Sequence, residues 1–365
     1  MGNRKDEHMS RHKSRIDKDN PLNSRMYWIL FVFFILVSGL VYFFLRQLFG
    51  EQVGFFSPGW FQFPVVLQLI LLLGIYFGLD TLRLFYILKT LEVDIDFWYV
   101  FYLALINIFI SNVTPFATGG GFVQLYLLHK KGVPLGKATA ATSIRTLLAV
   151  LFFFLMIPII VWKQGDLLRM HMKIDFRFFF FIIFFFYFLI GLLCYFIIYQ
   201  PHGVKKTWYV IMQRLQKRKW ISEEKAKKMS RSFFRELEQF SKGMRLFLYG
   251  NKKYIVLSFV TTLLFLVSLF SFSILLTGGM GYNIPLSSII RTEILVTFIT
   301  YFAITPGAAG IAEGSYVYLY GKYIAKNDLA VLAFGWRFFT IYIGVILGAI
   351  CFYREMIGRL FIRKK

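Results

Sequence analysis

The stretch Thr305-Pro306-Gly307-Ala308-Ala309-Gly310-Ile311-Ala312-Glu313-Gly314 follows an apolar run from Ser287 to Ile304 and leads into a short apolar segment. Proline removes a helical hydrogen bond and clustered glycine disfavours helix, so the stretch predicts a break. A second stretch of the same kind, Thr114-Pro115-Phe116-Ala117-Thr118-Gly119-Gly120-Gly121, follows the apolar run from Phe97 to Val113. Both breaks lie within long apolar sequence, where an ordinary loop would leave backbone amides without water.

The composition places that sequence in a membrane. Of 365 residues, 58% are hydrophobic and 20% aromatic, and only 17% are charged. A soluble domain carries about a quarter charged residues, so a cytosolic globular protein is excluded. Cys194 and Cys351 both lie in apolar runs and form neither a disulfide framework nor a metal or redox motif. The net charge of +23 concentrates in three polar segments: residues 1–25 with seven basic against four acidic, 201–253 with fifteen against four, and 354–365 with five against one. Basic segments beside apolar spans mark cytoplasmic loops, so the charge reads as topology and no nucleic acid partner is expected.

Six apolar stretches are long enough to cross a bilayer as helices: Met26 to Leu45, Phe61 to Phe85, Lys137 to Trp162, Phe176 to Tyr199, Tyr254 to Leu276 and Leu329 to Phe352. The first has no small-residue cleavage site and reads as a retained span. With the three basic segments inside, Arg83 and Lys89 mark the inner face. Residues 97–130 then start and end inside, and residues 285–326 start and end outside. Each is a re-entrant or broken hairpin turning within the membrane. The expectation is an all-α, polytopic, multi-pass protein of the cell membrane with both termini cytoplasmic. Residues 1–25 form a basic N-terminal segment, 26–352 the transmembrane domain and 353–365 a basic tail.

The halves correspond. Pro115 precedes Arg145 by 30 residues and Pro306 precedes Arg337 by 31. Repeat one, 61–162, and repeat two, 254–352, each read as a span, a broken hairpin and a span carrying one arginine. The linking span 176–199 gives them opposite orientations, an inverted repeat of the kind found in secondary transporters. A short helix beginning at a break aims free N–H groups at its cavity, which suits an anion. Arginine inside a span is costly and normally faces the protein interior with a partner. Arg145 and Arg337 are therefore the candidate lipid-phosphate ligands, with Gln124 and Glu313 as their polar companions. Thr114, Pro115, Gly119, Gly120, Gly121, Thr305, Pro306, Gly307 and Gly310 supply the turns and backbone donors. Arg291 and Glu293 read as an interfacial pair, and Asp80, Glu293 and Glu313 are the acids placed to carry protons.

A proline-glycine turn, a polar residue and a span with a central arginine, occurring twice, resemble the transmembrane, flippase-like domain of the lysylphosphatidylglycerol synthase family. The copy Pro306 to Glu313 is the more typical, and Gln124 stands where relatives often have an acid. The resemblance covers the chain from Met26 onward. It implies a stand-alone member, without the soluble aminoacyl-transferase domain, that moves or binds an anionic or aminoacylated phospholipid such as phosphatidylglycerol or lysyl-phosphatidylglycerol. The alternative is the membrane part of a phosphatidylglycerol lysyltransferase, or an accessory subunit presenting lipid to a separate transferase.

Other signals are weaker. Asp94-Ile95-Asp96 has the spelling of a nucleotide-sugar motif but reads as a connector at the inner face. The five histidines lack metal-ligand spacing, and no HExxH, GxSxG or P-loop is present. No catalytic residue, metal or cofactor is expected. Residues 201–253 predict one or two amphipathic basic helices on the anionic inner leaflet.

Overall fold

The computed structural model describes residues 24–49, 56–163, 201–218 and 221–362, with scattered positions between 185 and 199. Every regular element among them is helical: α1 (Ser24–Phe49), α2 (Phe63–Thr90), α3 (Phe97–Val113), α4 (Thr118–Lys130), α5 (Leu135–Lys163), α6 (Pro201–Lys217), α7 (Glu223–Tyr249), α8 (Lys252–Gly279), α9 (Leu286–Thr300), α10 (Ile311–Tyr320), α11 (Lys326–Arg337) and α12 (Ile343–Ile362). Five stretches, in α1, α2, α5, α8 and α11–α12, are long and apolar enough to cross a membrane. The 28 residues of α2 and of α8 each reach about 42 Å, enough to span the hydrocarbon with some tilt. The expected span 176–199 lies outside the continuously described residues.

Hydrocarbon is the solvent on the outside, so large apolar side chains such as Ile29, Phe63 and Ile70 remain exposed while the interior packs tightly. α2 and α8 run along one another, and α3 packs on α12. Glycine sets the second approach: a Cβ on Gly348 would stand 2.2 Å from the carbonyl oxygen of Leu105. Trp60 closes the other end of the bundle. It sits in a turn at Pro58–Phe61, donates Nε1–H to the Leu276 carbonyl at 2.9 Å, and lays its ring where Gly335 has no side chain.

The two breaks are built differently. In the first, Pro115–Ala117 forms one 3₁₀ turn in which Phe116 (φ 56°) and Ala117 (φ 53°) take left-handed backbone. The three glycines that the sequence suggested as part of the break belong instead to the first turn of α4. Gly120 is there for room: a Cβ would lie 1.8 Å from Ser111 Oγ on α3. In the second break, at Pro306–Ala308, Gly307 (φ 57°) and Gly310 (φ 85°) do take the left-handed positions, alongside Ala308. After each break a shorter helix packs back on its partner, α4 on α3 and α10 on α9. The two tips then meet, with Phe116 N–H donating to the Ile304 carbonyl at 3.3 Å.

A π-helical turn at Phe338–Tyr342 joins α11 to α12 directly after Arg337. Such turns displace the residues around them and mark functional positions in many helices. The basic segment folds as α6 and α7, held together by Trp208 stacked on Phe233 at 3.9 Å between ring centres. α7 rests on the start of α5, where Glu236 accepts the Gly136 N–H at 2.8 Å.

Replacing Gly348 by alanine is expected to destabilise the α3–α12 contact by about 1–3 kcal/mol through overpacking. Gly74→Ala, on a helix surface with nothing within 4 Å among the described residues, serves as the control and is expected to gain about 0.5–1 kcal/mol from helix propensity. Thermal unfolding of both variants in one detergent checks this.

Candidate functional site

Two arginine clusters are buried in the bundle, and they differ in charge balance. The first joins α2, α5 and α8. Asp80 and Arg83 lie one turn apart on α2, and Arg145 reaches Asp80 from α5 with Nη2 at 2.6 Å from both carboxylate oxygens. Arg83 donates to Asp80 at a long 3.4 Å and to the Arg145 carbonyl at 3.2 Å. Its guanidinium lies over the Phe265 ring of α8, 4.3 Å from the centroid. Arg83 Nε is buried with no hydrogen-bond partner among the described residues. Tyr76 and Tyr301 are within electrostatic reach, the latter from the foot of the second break. Among the described residues two guanidinium groups thus share one carboxylate, and that cluster carries an excess positive charge.

The second cluster is balanced. Arg337, at the end of α11, donates Nε–H to Glu313 Oε1 at 2.7 Å and Nη2–H to the Gly307 carbonyl. The other oxygen of Glu313 accepts the Gly310 N–H at 2.7 Å, capping its own helix α10. One cation meets one carboxylate, and the remaining bonds tie both to the second break.

The structure therefore revises several expectations from the sequence. Arg145 pairs with Asp80 and not with Gln124, because Asp80 offers a full charge across the α2–α5 contact. Gln124 is buried, and its Nε2 has no partner among the described residues. Arg83, read as an inner-face marker, is only 5% exposed and belongs to the cluster. Arg291 and Glu293 do not pair: Arg291 turns to Ser288 Oγ at 3.2 Å, and Glu293 points into the bundle toward Ser273 and Tyr320. Two of the expected backbone donors are already engaged. Gly119 N–H bonds Thr114 Oγ1 at 3.1 Å, and Gly310 N–H bonds Glu313. Thr305 Oγ1 donates to the Ala309 carbonyl at 2.8 Å, and Pro306 accepts the Ala309 N–H through its own carbonyl at 3.1 Å. Thr305 and Pro306 thus close their turn internally, as Thr114 does around Pro115. Gly121 faces open space.

Asp94 and Asp96 serve the inner-face connector. Lys89 beside Asp94 holds its carboxyl below the usual carboxylate range, and Asp96 caps α3 by accepting from Trp98 and Tyr99 N–H. Among the described residues, no three His, Cys, Asp or Glu side chains gather to hold a metal. Asp80 was visible in the sequence as an acid within a span, a rare placement that signals a partner nearby. Its partner was not visible, since 64 residues separate it from Arg145.

Residues 24–348 match the family described as Lysylphosphatidylglycerol synthase TM region. The chain is also similar to a UPF0104 membrane protein of Archaeoglobus fulgidus, with 24% identity over 271 residues, 74% of this chain and 80% of that relative. No solved structure matches the chain.

Removing either partner of the balanced pair leaves a buried charge uncompensated. Glu313→Ala or Arg337→Ala is therefore expected to cost about 3–5 kcal/mol, and the combined replacement Glu313→Leu with Arg337→Met to recover most of that loss. A double-mutant cycle of thermal unfolding in detergent measures the coupling.

Proposed function

The chain belongs to the lysylphosphatidylglycerol synthase transmembrane-region family, and from that premise we propose that it is a lipid transporter or flippase that grips the phosphate of an anionic or aminoacylated phospholipid. The observation that carries this reading is the excess positive charge of the Asp80–Arg83–Arg145 cluster. An unmatched guanidinium inside a bilayer is costly, and a phosphate neutralises it while accepting paired N–H groups in the planar fork that arginine presents. Arg145 lies ten residues into α5, about 15 Å along the helix and so near the middle of the hydrocarbon. A headgroup held there has left one leaflet and not yet reached the other.

In this reading Arg145 and Arg83 share the phosphate, and Asp80 holds them in place when the site is empty. Arg337, already matched by Glu313, braces the tip of the second hairpin. The two halves form an inverted repeat. Support comes from paired contacts: α3 packs on α12 as α9 packs on α5, α2 on α5 as α8 on α11, and the two tips on each other. Rocking one half against the other would open the cluster alternately to each side. The basic faces of α6 and α7 lie on anionic lipids of the inner leaflet, with both termini cytoplasmic in the cell membrane.

The test is a headgroup-accessibility assay on the full chain in proteoliposomes, with labelled phosphatidylglycerol and lysyl-phosphatidylglycerol. Arg83→Ala and Arg145→Ala are each expected to slow lipid movement by at least about thirtyfold, the loss from truncating one side of a buried charge pair. The reading fails if folded wild-type protein moves neither lipid, or if both variants move lipid at the wild-type rate. The first outcome would favour an accessory role beside a separate transferase.

A further inference from the structure

Glu293 is fully buried on α9, in the first arm of the second hairpin, and takes no part in either arginine cluster. Among the described residues, everything that faces its carboxyl is neutral. From α8, Ser273 Oγ–H donates to Oε1 at 2.5 Å; from α10, the Tyr320 hydroxyl donates to the same oxygen at 2.9 Å. Tyr316 bonds Ser273 at 2.8 Å and stacks between Tyr320 and the Trp336 indole of α11, which closes the cage. Tyr316 and Tyr320 are the titratable groups around it, and no Lys, Arg or His among the described residues acts on it. Arg291, the nearest cation on its own helix, turns away to Ser288.

A carboxyl in such a cage is subject to two opposing effects. Burial without a counter-cation disfavours the charged form, whereas hydroxyl donors on one oxygen favour it. The second oxygen, Oε2, is buried and makes no hydrogen bond of normal geometry among the described residues; the Trp336 indole N–H, likewise without an acceptor there, is the further donor that acts on this carboxyl, so Oε2 is the oxygen left for a proton. The cage is also mechanically connected to the proposed transport site. α9 carries Glu293 and ends at its C-cap Tyr301, eight residues or about 12 Å on, and Tyr301 lies within electrostatic reach of Arg83 and Arg145. α8, which carries Ser273, also carries the Phe265 ring under Arg83.

We propose that Glu293 is a proton-binding site whose loading couples proton movement to the motion of the second hairpin. With the hairpin packed as in this structure, the proton sits on Oε2. When α9 and α10 separate from α8 and α11, the carboxylic O–H bond breaks, the proton passes to water entering the cage, and the carboxylate that remains is solvated. Reclosing requires a proton to return, from whichever side the cage then faces. The coupling rests on the transporter reading above, whereas the proton site itself does not.

Two measurements on the full chain in phosphatidylglycerol-containing proteoliposomes separate the two parts. Infrared difference spectra across a pH titration are expected to show a protonated carboxylic acid that is lost at high pH and is absent from Glu293→Gln. Tyr320→Phe removes a donor to the carboxylate and is expected to raise the midpoint by about one pH unit, which assigns the titrating acid to the Glu293 cage. In the second measurement, a transmembrane gradient of about one pH unit should bias labelled lipid between leaflets by up to roughly tenfold for one proton per lipid. In Glu293→Gln the lipid should still equilibrate but ignore the gradient. No Glu293-dependent acid in the spectra overturns the proton site. A titrating Glu293 with wild-type lipid movement indifferent to the gradient overturns the coupling. If wild type moves no lipid at all, the transporter reading falls and takes the coupling with it, and the spectra still decide the site.

Discussion

A peptide group inside hydrocarbon has no water to bond with, and both interruptions of helix in this chain are arranged around that constraint. The first break passes an amide of its own to the second, Phe116 N–H to the Ile304 carbonyl, and the second passes the Gly307 carbonyl to Arg337. Glu313 then takes the Gly310 amide. Each tip is completed by atoms from outside its own hairpin, so the hairpins, α11 and the π turn after Arg337 form one mutually dependent unit. The left-handed backbone at Phe116, Ala117 and Ala308 is strained, and it persists because its surroundings leave it no alternative.

The same solvent sorts the charges. A guanidinium buried in a membrane protein must be matched, and Arg337 is matched one to one by Glu313. Arg145 and Arg83 have a single carboxylate between them. The balanced pair can therefore hold a fold together without further partners, whereas the unbalanced cluster keeps an excess positive charge among the described residues. Arg145 and Arg337, at matching distances after Pro115 and Pro306, thus carry different electrostatic roles. The difference traces to which acid each helix meets: Asp80 already faces Arg83, and Glu313 faces no second cation.

The second hairpin contributes residues to all of these sites. Its first arm carries Glu293 and ends at Tyr301 beside the unbalanced cluster, its tip receives Arg337, and its second arm contributes Tyr316 and Tyr320 to the Glu293 cage. A shift of this one hairpin would alter all three environments together. The first hairpin has no comparable buried acid, and Gln124 there is a neutral side chain with a spare donor.

Much of this architecture was legible in the sequence, because a span is defined by local composition: about 20 apolar residues read as a crossing wherever they occur. The breaks at Pro115 and Pro306, the arginines at 145 and 337 and the amphipathic helices after residue 201 were read in the same way, residue by residue. Partners were not, since an ion pair depends on which helices touch, and that is a property of the whole bundle. So the sequence by itself determined the helical membrane class, the places where helix must stop and the buried charges that need an answer. Only the tertiary structure decided that Asp80 answers Arg145, that Arg83 is left with a share of one carboxylate, and that Glu293 turns away from Arg291 into a neutral cage. The physical reason is that hydrophobicity is carried by each residue alone, whereas charge neutralisation in a low-dielectric interior is settled between residues far apart in the chain.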